Sequence, residues 1–103
     1  MKKQVIPIDK KTVDEYNKYL DSGEEYPYGC RYSTVESWTA CFGNGIEADI
    51  KVCCADDYSL FVDAVLFKDC GEAALAGDPE YQLDGEYEFE FDDEIYVVEV
   101  VAA

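Results

Sequence analysis

The chain contains no histidine. That absence removes the commonest general base, the Ser/His and Cys/His nucleophile pairs, and the usual nitrogen ligand of a metal site. Five cysteines are present, Cys30, Cys41, Cys53, Cys54 and Cys70, but none lie at Cys-x-x-Cys spacing. Adjacent Cys53 and Cys54 on a strand point to opposite faces and do not readily share one tetrahedral ion. An odd count with a neighbouring pair is also poor material for a secreted disulfide framework, so buried thiols in a reducing cytoplasm are the simplest expectation. The acidic turns Asp56-Asp57 and Asp92-Asp93-Glu94 lack the central glycine and terminal glutamate of a calcium loop and read as solvated carboxylates. Phosphate-cradling glycine loops are missing too, because Gly43-Asn44-Gly45 is accounted for by a hairpin. After Lys2-Lys3 the apolar stretch is broken by Pro7, which leaves no signal-peptide core, and no apolar run approaches the ~18 residues of a membrane span. The expectation is a protein without cofactor, metal, catalytic residues or membrane contact.

Positive charge is scarce as well. Eight Lys and Arg stand against 24 Asp and Glu, for a formal net charge of −16 and a pI near 4.1. Five of the eight, Lys2, Lys3, Lys10, Lys11 and Lys18, fall in the first 20 residues, opposed there by Asp9, Asp14 and Glu15. More than the whole of the −16 therefore falls on the remaining residues, which hold only Arg31, Lys51 and Lys68 as cations. Such a field repels nucleic acid and anionic membrane surfaces and attracts basic partners. Solubility alone asks for a net charge of magnitude roughly 2 to 8, and self-repulsion beyond that works against the compact state. Adaptation to high salt stays open as a minor alternative.

Apolar residues are plentiful. At 49% hydrophobic and 15% aromatic over 103 residues, the chain can offset its ordering entropy, unlike acidic disordered tails. That length suits one hydrophobic core, so residues 1–103 are read as a single domain.

Periodicity gives the elements. Thr12 followed by Glu15 has the spacing of a capping box, and Val13, Tyr16 and Leu20 share a helical face before Gly23. The pattern predicts a helix from 13 to 21 or 22, preceded by a short edge strand at 5–8, where Pro7 is tolerated. Alternating residues predict strands at 35–42 and 46–54, joined by Asn44-Gly45, the strongest short hairpin signal. Residues 58–67 are apolar on both faces, as in a central strand whose second face is covered, with the helix as the expected cover. After the turn Asp69-Cys70-Gly71, residues 72–76 fit either a helical turn or a short strand. A last hairpin runs through 86–91, the acidic turn Asp92-Asp93-Glu94 and 95–101. The expected fold class is α+β: one N-terminal helix packed on an antiparallel sheet of about five or six strands.

On that last hairpin Glu86, Glu88 and Glu90 alternate with Tyr87, Phe89 and Phe91, so the aromatic residues face the core and the glutamates form an outer row. Its members stand about 7 Å apart, twice the rise of a strand. Glu99, Asp92, Asp93 and Glu94 extend the row, and no lysine follows Lys68. A merely wet strand face explains three glutamates. A fixed carboxylate array also resembles the charge of a nucleic-acid backbone and suits a basic groove. Asp56, Asp57, Glu24 and Glu25 form a second candidate patch. Tyr26 and Tyr28, with Tyr32, either add interface contacts or pack their loop on the sheet.

In size, acidity and lack of active-site residues the chain resembles small phage or mobile-element inhibitors of host defence, the anti-CRISPR and anti-restriction proteins that act as DNA mimics. The resemblance implies a non-enzymatic, stoichiometric inhibitor that occludes the basic nucleic-acid channel of a nuclease or effector complex without itself touching nucleic acid. Two alternatives stay open. One is an immunity protein for a basic toxin nuclease, and the other a small metal-binding or enzymatic domain using carboxylates and thiols.

Overall fold

A computed structural model of the chain describes residues 1–22, 33–55, 59–78 and 83–102. The elements run β1 (Lys2–Ile8), α1 (Lys10–Ser22), β2 (Ser33–Gly43), β3 (Ile46–Cys54), β4 (Leu60–Lys68), β5 (Gly71–Asp78), β6 (Gly85–Phe91) and β7 (Glu94–Ala102). They form a three-stranded sheet, β1-β7-β6, and a four-stranded sheet, β2-β3-β4-β5. The expectation of a mostly β chain with one N-terminal helix holds among the described residues, whereas the single antiparallel sheet of five or six strands is corrected to seven strands in two sheets. Residues 72–76, open between helical turn and strand, belong to strand β5.

One pair is parallel. β1 runs alongside β7, with Lys3 opposite Val97 and Ile6 opposite Val100, whereas every other ladder is antiparallel. Between the sheets β1 lies beside β2 and β5 beside β6, with Cα atoms within 8 Å. The strands thus succeed one another around the core in chain order, and the last returns to the first. Seven strands that alternate in direction must bring two that run the same way together where such a circuit closes, and β1 with β7 is that place. Pro7 is harmless there because β1 is an edge strand, where a missing N–H costs no ladder bond.

Period-two alternation supplies the shared core. Ile46, Ala48, Ile50, Val52 and Cys54 of β3 and Leu60, Val62, Ala64 and Leu66 of β4 are buried on one face. Tyr87 and Phe89 of β6, Tyr96, Val98 and Val100 of β7, and Ile6 and Ile8 of β1 meet them from the other sheet in one cluster. Burying each large apolar side chain contributes roughly 1.5–3 kcal/mol, which sets register firmly, since a slip of one residue would turn this whole set outward. Phe42 and Tyr96 cross between the sheets edge to face, ring centroids 5.1 Å apart at 75°. The buried Tyr87 hydroxyl donates to the Leu83 carbonyl at 3.1 Å, which removes the cost of hiding that polar tip.

The helix begins earlier than its sequence pattern suggests, and Asp9 rather than Thr12 caps it. The Asp9 carboxylate accepts from the Lys11 backbone N–H at 2.9 Å, and its carbonyl accepts from the N–H groups of Thr12 and Val13. Those contacts satisfy donors that a helix start leaves without partners. Val13 and Tyr16 are buried as expected, and the Leu20 side chain and Gly23 lie outside the described residues. The helix does not roof the second face of β4. Val13 and Tyr16 join the core between the sheets, so the second sheet is what covers the inner face of β4. On the outer face Val65 is buried and Phe61 and Phe67 are half-buried.

Three two-residue turns reverse the chain. Asn44-Gly45, Asp69-Cys70 and Asp92-Asp93 hold φ values of 55° and 80°, 51° and 68°, and 53° and 60°. Positive φ at both positions is the type I′ geometry whose twist matches the flanking strands. At Gly45 the φ of 80° strains any side chain, and a Cβ would also push aside the Asp69 carboxylate, whose own backbone N–H donates to the Gly45 carbonyl at 2.9 Å.

Candidate partner-binding surface

The β6–β7 hairpin displays the acidic row. Glu86, Glu88 and Glu90 are exposed on the solvent side of β6, with Tyr87 and Phe89 buried and Phe91 half-buried on the other side. The row continues into exposed Asp92 and Asp93 at the turn, where the left-handed backbone is one that aspartate tolerates better than most residues. Glu94 is the first residue of β7 rather than part of the turn, and it pairs with the Met1 amino group at 3.1 Å. Glu99 stands directly opposite Glu86 in the antiparallel register. Like charges at such a position lie within about 5.5 Å at their Cβ atoms and destabilise the pair.

Lys3 resolves that conflict. Its ammonium lies 3.1 Å from Glu86 Oε1 and 2.6 Å from Glu99 Oε2. Glu99 first and Glu86 second hold the Lys3 amine above its usual range, against a small opposing effect of burial. The row is therefore less bare than the lack of lysine after Lys68 suggests, because the parallel strand β1 brings a cation in from the other end of the chain. Nothing in local sequence pattern reveals this contact, which depends on a pairing more than 80 residues apart. Glu88 and Glu90 face Val97 and Ile95 instead. Among the described residues no cation lies within ion-pair range of Glu88, Glu90, Asp92 or Asp93. Apolar side chains share this face: Val5 is 54%, Val101 39% and Ile95 38% exposed.

The second patch is not brought into view. Asp56, Asp57, Glu24, Glu25, Tyr26 and Tyr28 all lie outside the described residues, as does Tyr32. Of the cysteines, Cys53 and Cys54 are buried, but Cys41 and Cys70 are exposed free thiols, which departs from the expectation of buried sulfur. Burial pushes the Cys53 thiol above its usual range, partly offset by a hydrogen bond with Thr34. Among the described residues no group of three or more His, Cys, Asp or Glu is placed to hold a metal ion, and no helix is long and apolar enough to cross a membrane.

What this arrangement offers chemically is a line of hydrogen-bond acceptors of one charge on a rigid hairpin, set beside a few exposed apolar side chains. Comparison with protein-family models, with curated proteins and with solved structures finds no match to the chain.

Proposed function

We propose that this chain is a non-enzymatic binding protein whose acidic hairpin occupies a basic, nucleic-acid-binding surface of a partner, in the manner of counter-defence DNA mimics such as anti-CRISPR inhibitors. It acts in a reducing cytoplasm, where Cys41 and Cys70 persist as thiols. One observation carries the reading: Glu88, Glu90, Asp92 and Asp93 are held in a line on a two-stranded hairpin with no opposing cation among the described residues. Such an array is electrostatically costly within the molecule and becomes favourable against a cationic groove.

The proposal is tested by pull-down from the native host at low and high salt, using wild type and the triple variant Glu86→Lys, Glu88→Lys, Glu90→Lys. Wild type should capture a basic nucleic-acid-binding protein, release it as salt rises, and lose it to added duplex DNA. The triple variant should capture far less. Equal capture by a folded triple variant, or capture indifferent to competing DNA, removes the hairpin from the function.

A further inference from the structure

We propose that β1 is an electrostatic strap: attraction between its own cations and the acidic hairpin seats it on β7, and a rise in ionic strength unseats it while the rest of the molecule tightens. The inference concerns the free protein and stands whatever the hairpin binds.

Two distant stretches of opposite charge fold against each other. Residues 1–8 hold Lys2 and Lys3 and no acid, whereas residues 84–99 hold eight acids and no cation. Parallel pairing lays β1 along β7, with Lys2 opposite Tyr96 and Lys3 opposite Val97. Among the described residues, every ion pair that joins distant parts of the chain has its cation at residues 1–3. The Met1 amine meets Glu94 at 3.1 Å, and Lys3 meets Glu86 at 3.1 Å and Glu99 at 2.6 Å. The Lys2 ammonium adds a cation–π contact, 5.9 Å from the centroid of the Tyr96 ring.

Apolar anchorage of this strand is thin. Residues 2–5 are exposed, and only Ile6 and Ile8 are buried. As an edge strand β1 has a ladder on one side alone, so its first half is held by that ladder and by charge. Elements with few buried contacts open before the core does.

Salt acts on the two parts with opposite sign. Screening shortens from about 30 Å at 0.01 M to about 3 Å at 1 M, which removes the attraction that seats β1. The same screening relieves repulsion among the carboxylates of the remainder, which carries more than the whole of the −16, and so stabilises it. Release of β1 leaves one edge of β7 without a partner strand.

The test is hydrogen exchange of the full chain, read by mass spectrometry at 0.02 M and 1 M NaCl, with rates divided by those of the unfolded chain at the same salt. Protection of residues 2–6 should fall about tenfold at high salt, as expected for losing a few exposed ion pairs. Protection across β3 and β4 should rise over the same range. A response of the same sign in both regions overturns the strap, because β1 would then open only with the whole fold. Lys2→Gln with Lys3→Gln should leave β1 weakly protected at low salt and indifferent to added salt. Lys10→Gln with Lys11→Gln removes equal charge from exposed positions at the start of α1 and should respond as wild type does. Loss of the response in both double variants would assign it to net charge and overturn the strap. The opposite signs in wild type need no variant, so the test stands even where a variant fails to fold.

Discussion

The outer faces of the two sheets carry acids differently at one place. On the four-stranded sheet Asp63 stands opposite Lys51, Asp49 accepts from the Thr39 hydroxyl at 2.9 Å, and Glu47 stands opposite Cys41 and Phe67. Buried Val65 and Cys53 lie on the same face. On the three-stranded sheet Glu86 opposes Glu99, Glu88 and Glu90 oppose apolar residues, and the one cation bridging the first pair is imported from β1. The first face is what a sheet needs in order to be wet and stable. The second sets two carboxylates directly opposite each other, which no described ladder of the first does, and a cation from a third strand is needed to hold them together.

Inside, the sheets are alike, and the largest expected effects should show it. Phe89→Ala removes a 1% exposed ring from β6, and Ile50→Ala a fully buried side chain from β3. Each should cost about 2–5 kcal/mol. Because the sheets share one cluster, Phe89→Ala should move the urea midpoint reported by Trp38 fluorescence, on the opposite sheet, as far as the midpoint reported by circular dichroism. Two separated transitions would break the claim that two unlike faces sit on one cooperative unit.

The next effect sharpens the contrast in charge. Glu86, Glu88 and Glu90 changed together to lysine alter net charge as much as Glu36, Glu47 and Glu72, three exposed acids of the four-stranded sheet, changed the same way. Octalysine affinity at low salt should fall by about tenfold more for the first set than for the second. Equal losses would mean that total charge matters and its pattern does not.

Much of the local structure was legible because its causes are local. The Asn44-Gly45 hairpin, the boundaries of β3 and the inward turn of Tyr87, Phe89 and Phe91 all follow from period-two alternation and from turn residues that accept positive φ. What escaped depends on pairing across the chain. Residues 72–76 were ambiguous because Ala73, Ala74 and Ala76 give weak contrast between faces, and only the ladder to β4 makes them a strand. The helix start was misplaced because both Asp9 and Thr12 are competent caps, and burial of Ile8 beside Asp9 decides between them. The acidic row was legible as a row. Its Lys3 bridge was not, since it requires the parallel closure of β1 on β7.

The turns repeat the comparison on a smaller scale. The four-stranded sheet uses Asn44-Gly45, the pair best suited to type I′ geometry, whereas the acidic hairpin uses Asp92-Asp93. Replacing the latter by Asn-Gly should raise stability by about 1 kcal/mol, because glycine reaches positive φ without a Cβ clash. The same variant should bind octalysine more weakly. Stability unchanged or lowered in urea unfolding would show that the aspartates hold the turn structurally.

The smallest effect lies in alkali, where each sheet carries a group with a raised proton affinity, Cys53 on the four-stranded sheet and Lys3 beside the acidic row. A group whose folded value is raised keeps its full contribution below its ordinary value and loses it as pH climbs through the folded one. For Cys53, buried in the four-stranded sheet, the loss begins above its ordinary 9.0. For Lys3, held by Glu99 and Glu86, it begins above 10.5. Urea midpoints taken between about pH 8 and pH 11 should fall in wild type across both windows. Cys53→Ala should lessen the fall in the lower window and Lys3→Met that in the upper, since the two groups sit on different sheets and share no partner named for either. A Lys3→Met protein whose upper fall is as steep as in wild type would mean that the tie between this ammonium and its two glutamates contributes nothing to stability in solution.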